Sequence, residues 1–517
     1  MSRGALAPPR PLVWAAAATA LIALAPMAYL LARVAEAGPS QVLGALLRER
    51  TFQTTATSLA LALAVVACCL ALGLPMAWIL SRTQVPLRAA WLVIASLPLA
   101  IPSYVAAYAW LAQFPAMHGF WAATLVLTLV SLPYVVLPVT ASLRTIDPAG
   151  EEIARTLGRG PARAFAQATL PQAWPAAAAG SLLVALYVLS DFGAVALLRV
   201  DAFSRVIYAS YRASFDRTSA AVLAVVLVGL AAALVLLERR VRGRGLRYRV
   251  SSGAARKPVP MALTWPASIA AISFLSIVAV AAIGFPVVSL LLRMAERTRR
   301  GLDVTELLQA VMNSAGVALL GAIVALGLAL PVASLAARYR GRAVSAIETA
   351  SYAGHALPGV VVGLSLVFLT LGLLPFAYQT LVTLAFAYAV LFLPKAIGSS
   401  RAAIAAVPPV IEQAARTLGR SHLKAWLSTT ARIAWPGIAA GGLLVLLTAM
   451  KELPATLMLR PTGLDTLATE LWSRTEVAAY GAAAPYALAL IALAAVPAWL
   501  LSTAVQRERP STEAVPA

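Results

Sequence analysis

Residues 151–159 read Glu151-Glu152-Ile153-Ala154-Arg155-Thr156-Leu157-Gly158-Arg159, and residues 412–420 read Glu412-Gln413-Ala414-Ala415-Arg416-Thr417-Leu418-Gly419-Arg420. The six residues from Ala154 to Arg159 recur unchanged from Ala415 to Arg420, about half the chain further on. Each copy is polar and helix-forming, and each lies between long apolar runs. A loop of this kind, duplicated inside a chain that is otherwise apolar, predicts two matched halves with one handle on each for a soluble partner.

Composition sets the class. The chain is 61% hydrophobic and 12% charged. A soluble protein cannot hide that much apolar surface, so an all-α polytopic membrane protein is expected. The net charge of +21 follows from Lys and Arg collecting in cytoplasmic loops. No basic stripe interleaves with aromatics, so nucleic acid is not an expected partner. The two cysteines, Cys68 and Cys69, are adjacent in an apolar run, a poor arrangement for a structural disulfide or a metal cluster.

A helical span takes about 20 apolar residues. Twelve such segments are predicted, near 12–31, 55–80, 91–112, 120–141, 174–198 and 219–237, then 266–292, 312–336, 353–374, 378–399, 434–450 and 483–504. Several contain proline (Pro75, Pro98, Pro133, Pro331, Pro358, Pro394), which membrane helices tolerate when neighbours satisfy the freed carbonyls. The match between halves extends beyond the loops. Ser58 to Pro75 parallels Ser314 to Pro331, Leu132-Pro133 parallels Leu393-Pro394, Trp174-Pro175 parallels Trp435-Pro436, and Leu198-Arg199 parallels Leu459-Arg460. Six spans per half return the chain to its starting side, which predicts two parallel repeats. The expected organisation is a first repeat over 1–237 with its loop near 147–172, a basic linker over 238–262, and a second repeat over 263–517 with its loop near 408–433.

Loop charge fixes the expected orientation. The linker carries Arg239, Arg240, Arg242, Arg244, Arg247, Arg249, Arg256 and Lys257 against Glu238, and Arg82, Arg88, Arg338, Arg340, Arg342, Arg3 and Arg10 fall on the same side. Both termini and both repeated loops are therefore expected in the cytoplasm. No small-residue cleavage site stands out after the first apolar run, so an uncleaved first helix is expected.

Each repeated loop reads as helix–turn–helix. Asp147 can cap a helix beginning at Pro148. Glu151 and Glu152 sit in the first turn, where the helix dipole favours anions. Ala149, Ile153 and Leu157 share one face, as do Val410, Ala414 and Leu418. Gly158 and Gly419 can end the helices. Such a small amphipathic helix suits a groove on a soluble protein. The loops resemble the coupling motif of ABC importer permeases, whose pattern is Glu-Ala-Ala, three residues, Gly, nine residues, then Ile-x-Leu-Pro. Glu152, Ala154, Gly158, Leu170 and Pro171 match in the first copy; Ala414, Ala415 and Gly419 match in the second. There Gln413 takes the Glu position, with Glu412 one residue earlier, and Ala431-Arg432 replaces Leu-Pro. The resemblance implies that Glu151, Glu152, Ala154, Gly158, Glu412, Gln413, Ala414, Ala415 and Gly419 form two coupling sites. Each would receive one copy of a cytoplasmic ABC ATPase.

Further stretches are similar to the fused, double-length permeases of ferric-iron importers: Leu189-Ser190-Asp191-Phe192-Gly193-Ala194-Val195, Lys451-Glu452-Leu453-Pro454-Ala455-Thr456, 211–217, and Leu459-Arg460-Pro461. This resemblance implies a periplasmic solute-binding protein as a second partner and ferric iron as cargo. Thiamine, polyamine and phosphonate importers share the architecture. Asp191, Lys451 and Glu452 lie roughly 24 Å along their helices from the matched Trp-Pro, at about 1.5 Å per residue. Charges at that depth face a bundle interior or a water-filled cavity. They are candidates for an outer gate, the alternative being a structural ion pair or snorkelling helix ends.

No cofactor is expected. His118, His355 and His422 form no cluster with carboxylates, and His355 reads as a packing residue. No G-x-x-x-x-G-K-[ST] loop is present, so ATP hydrolysis is expected in a separate subunit. A secondary transporter of 6+6 parallel helices would fit the helix count but not the duplicated loop.

Overall fold

The computed structural model describes residues 8–212, 217–245, 260–299, 301–352, 354 and 357–507. His355, Ala213–Asp216 of the 211–217 stretch, and most of the basic linker lie outside the described residues. The described chain is helical throughout, with a single isolated bridge between Thr83 and Met261.

Ten helices among the described residues are long and apolar enough to cross a membrane, or eleven if one sharply bent pair counts as a span. The twelve predicted segments all contain helix, but two are not straight spans. Segment 91–112 is the bent pair, Arg88–Ala100 and Ser103–Gln113, which meet at 90°. In segment 353–374 the α-helix among the described residues is Gly359–Leu373, 15 residues. The cause is the same in both. Pro102 and Pro358 have no amide hydrogen and disfavour helix in the residue before them. Ile101 is extended (φ −90°, ψ 119°), and Pro102 and Pro358 themselves sit at ψ 145° and 146°. Irregular backbone at membrane depth is tolerated where protein covers it. Tyr104–Ala109 and Val360–Phe368 are accordingly buried. By contrast, Pro75 and Pro331 sit inside continuous helices, Glu49–Arg82 and Val304–Arg338.

The chain forms two compact units, and they cross the sequence repeats. One comprises 1–42, 301–477 and 485–517; the other comprises 43–300 and 478–484. In the first, Arg10–Glu36 lies against Val304–Arg338 through Ala16 and Ala23, which cluster with Ala322, Ala325, Ala329 and Val332. Thr19 donates its hydroxyl to the Leu328 carbonyl at 3.0 Å. Lipid is as apolar as leucine, so association rests on close packing, which small residues permit. In the second unit, Ala271, Leu275 and Val278 pack with Met76, Ile79, Leu80 and Leu132. Further along, Phe285 meets Trp110 with ring centroids 4.1 Å apart, and Ser289 donates to the Ala109 carbonyl at 2.7 Å. The opening helix of each repeat thus belongs to a unit built mainly from the other.

Candidate functional site

The repeated loops fold as short exposed helices, Ala149–Thr156 and Pro409–Thr417. In the first, the Asp147 carboxylate accepts from the Ala149 amide at 2.9 Å, covering one of the four amides that a helix start leaves open. In the second, Pro408 and Pro409 supply a fixed φ and remove one such amide. Both helices end identically. Gly158 and Gly419 stand at φ +81° and +82°, a conformation that costs other residues a clash between Cβ and backbone. Arg159 then donates back to the Ala154 carbonyl at 3.2 Å, and Arg420 to that of Ala415 at 3.3 Å. This reversed bonding closes a helix whose next residue is left-handed.

Each helix turns two residues inward, a glutamate and, three residues on, an alanine. Ala415 is buried and Ala154 half-buried, whereas Ile153, Leu157, Val410 and Leu418 are exposed, Leu157 by 74% and Leu418 by 83%. Glu152 and Gln413 are exposed; Glu151 and Glu412 are half-buried. Glu151 accepts from the Thr169 hydroxyl at 2.9 Å, and Glu412 accepts from the Thr430 hydroxyl at 2.9 Å. The register that overlays the two loops brings Glu151 onto Glu412 and Glu152 onto Gln413. Glu412 is therefore not a displaced copy of Glu152 but the counterpart of Glu151. The pairing with Thr169 and Thr430, 18 residues on in both copies, was present in the sequence as a repeated Glu–Thr spacing and went unread there. Beyond the turn the copies diverge. Pro161–Ala164 runs into a π turn at Phe165–Thr169 and on to Leu170–Ser190. His422–Ser428 instead breaks at Thr429 before Thr430–Ala449.

At the far ends of those helices the chain breaks again, and Asp191 and Glu452 hold the breaks. Asp191 accepts from the amides of Ala194 at 3.0 Å and Val195 at 3.3 Å, and from the Ser103 hydroxyl, capping the short helix Gly193–Leu197. Glu452 accepts from the amides of Ala455 and Thr456, both at 3.1 Å, and from the Thr456 hydroxyl at 3.0 Å, capping Pro454–Leu459. Each carboxylate is 8% exposed. Buried charges survive when every oxygen is bonded, and a row of amides at a helix start supplies those bonds. Helix capping accounts for the bonds that both carboxylates make at these breaks.

The capped helices pack against the helices broken by Pro102 and Pro358, Ser103–Gln113 on Gly193–Leu197 and Gly359–Leu373 on Pro454–Leu459. Asp191 belongs to one compact unit, and Lys451 and Glu452 to the other. Lys451 is half-buried and near enough to Lys395 for the two charges to repel. Lys395, which sequence reading passed over, lies within Leu381–Ala406 with its ammonium 5.1 Å from the centre of the Phe392 ring. A cation inside an apolar span is the signal that would have found it.

The sequence model of the binding-protein-dependent transport system inner membrane component matches this chain twice, at residues 69–244 and 320–509. The Fe(3+)-transport system permease protein FbpB 2 of Haemophilus influenzae is 33% identical over 499 residues, 96% of this chain and 99% of that one. The sulfate transport system permease protein CysT of Escherichia coli is 32% identical over 186 residues, 32% of this chain and 66% of its own. The molybdate/tungstate transport system permease protein WtpB of Thermococcus kodakarensis is 25% identical over 190 residues, 36% of this chain and 77% of its own.

Proposed function

This chain belongs to the binding-protein-dependent transport system inner membrane component family, and on that premise we propose that it carries ferric iron as the membrane-spanning subunit of an ATP-driven importer. It is a transport permease of the inner membrane rather than an enzyme. The observation that carries the cargo is the end-to-end likeness, at 33% identity, to a Fe(3+)-transport permease of the same double length. One chain supplies both halves of the pathway. Two copies of a cytoplasmic ATPase dock at Ala149–Thr156 and Pro409–Thr417, and a periplasmic binding protein delivers the ion. Asp191, Glu452 and Lys451 shape the outer gate.

Docking on both loops constrains the topology. Four predicted segments precede the first loop and ten precede the second, so all twelve must cross for both loops and both termini to share the cytoplasmic side. If the segments broken at Pro102 and Pro358 turned back instead, three and eight spans would precede the loops, which would then face opposite sides. Labelling of single cysteines placed at Leu157 and Leu418 by an impermeant maleimide tests this; labelling of the two from different faces of the membrane overturns the docking.

One observation favours a second cargo class. Relatives bearing the names of sulfate and molybdate systems match about a third of the chain. The deciding experiment is uptake into proteoliposomes holding this chain with its ATPase and its binding protein. Labelled ferric iron should accumulate with ATP. Uptake of sulfate or molybdate in its place overturns the iron reading and keeps the importer.

A further inference from the structure

Two arginines, at matching places in the repeats, hold the segments that lead into the coupling helices. Arg82 is the last residue of Glu49–Arg82 and Arg338 the last of Val304–Arg338, so they hang from matching ends of two long, equivalent helices. Arg82 donates to the carbonyl of Ile146 at 3.3 Å, and Arg338 donates to the carbonyl of Val407 at 2.7 Å. Ile146 and Val407 are equivalent in the register that pairs the loops, each lying just ahead of its coupling helix. Both are buried. Arg338 also reaches the Thr430 hydroxyl at 3.4 Å, the same hydroxyl that donates to Glu412. In the first repeat, Thr169 donates to Glu151, whose charge lies within reach of Arg82.

Each coupling helix is thereby tied at two points to two different membrane helices. Its approach segment is held by the arginine of the long helix before it. Its first turn is held through the glutamate to the foot of the helix after it. A helix fixed at one point can swivel; fixed at two, it transmits displacement. The arginines share one more property. The Nε of Arg82 and the Nε of Arg338 are both buried without a hydrogen-bond partner among the described residues.

We propose that Arg82 and Arg338 are positioning residues that pass the movement of the coupling helices to the membrane helices, with Glu151–Thr169 and Glu412–Thr430 as the second attachment in each repeat. The proposal rests on the ATPase docking of the preceding section. It is tested with the complete complex in proteoliposomes by measuring cargo moved per ATP hydrolysed, normalised to the ATPase subunit that co-purifies. Arg82→Gln with Arg338→Gln should keep the ATPase bound and lower transport per ATP by about tenfold, the scale of losing a charged hydrogen bond. Arg82→Lys with Arg338→Lys should recover part of it, because an ammonium still reaches one carbonyl. Thr169→Val with Thr430→Val keeps the shape, removes the hydroxyls, and should uncouple in the same sense. Bound ATPase with an unchanged ratio overturns the proposal, as does a loss of transport that only follows the amount of protein in the membrane in both variant sets. A wild-type chain that captures no ATPase overturns the docking itself, and the latch with it.

Discussion

The two repeats close the same joint with different side chains. In the first, Ser103 starts the helix broken by Pro102 and donates its hydroxyl to Asp191. In the second, Gly359 stands at the matching place, and Glu452 fills the space that a Cβ there would need. The carboxylate is one methylene longer where its neighbour is a hydroxymethyl shorter. Both still cap a short helix three residues on. What the repeats share is thus the backbone break and the capped helix; what differs is how the volume is divided. Shared geometry belongs to the operation common to both halves.

Changes to what is shared should cost most. Gly158→Glu with Gly419→Glu places side chains at φ near +80° in both loops, roughly 1–2 kcal/mol of backbone strain each. No neighbour lies within 4 Å of either Cβ position, so the protein should reach the membrane while transport is abolished. Normal uptake together with normal stimulation of ATP hydrolysis would remove the coupling role from these loops.

Next comes the joint. Gly359→Ser should drive a Cβ into Glu452, cost about 1–3 kcal/mol of overpacking, and lower both uptake and thermal stability. Adding Glu452→Asp rebuilds the pair found in the first repeat and should recover most of the loss. A double variant no better than Gly359→Ser alone would show that the two positions do not compensate.

A smaller effect separates the coupling helices. Glu152 is exposed where the second copy has exposed Gln413. A carboxylate makes a stronger bond to a cationic partner than an amide does, so Glu152→Ala should weaken ATPase stimulation several-fold and Gln413→Ala less. Equal effects, or the opposite order, would count against unequal docking. The smallest change is Thr456→Val, which gives the second repeat the valine that the first has at Val195. It removes the hydroxyl bonds to Glu452 at 3.0 Å and to Tyr388 at 2.6 Å. The expected result is about 1 kcal/mol of stability lost with uptake little changed; a large loss of uptake would make that hydroxyl part of the pathway.

The parts legible in the sequence were those with local signals. The duplicated Ala154–Arg159 stretch, the apolar segments and the turn glycines each announce themselves over a few residues. The breaks did not, because Pro98, Pro102 and Pro358 sit in apolar runs whose length alone satisfies a straight span. Ile101-Pro102-Ser103 against Leu357-Pro358-Gly359 carried the signal, as a repeated extended dipeptide ahead of a small residue. The exchanged first helices had no local mark at all. Ala16 and Ala23 look the same in sequence whether they face lipid or another helix. The capping by Asp191 and Glu452 was hidden for a related reason: the amides that each carboxylate accepts from are known only once the backbone around it is placed.

The exchange of opening helices has a consequence for how the protein is made. Arg10–Glu36 is synthesised well before the surface it packs against, Val304–Arg338, which emerges roughly 270 residues later. At about 5–20 residues per second that helix waits for tens of seconds in the bilayer with its alanine face open to lipid. A gene cut within the linker would leave each product short of one helix and holding one that fits the other. Made together in one cell, the two fragments should find each other and restore uptake; made alone, each should be degraded.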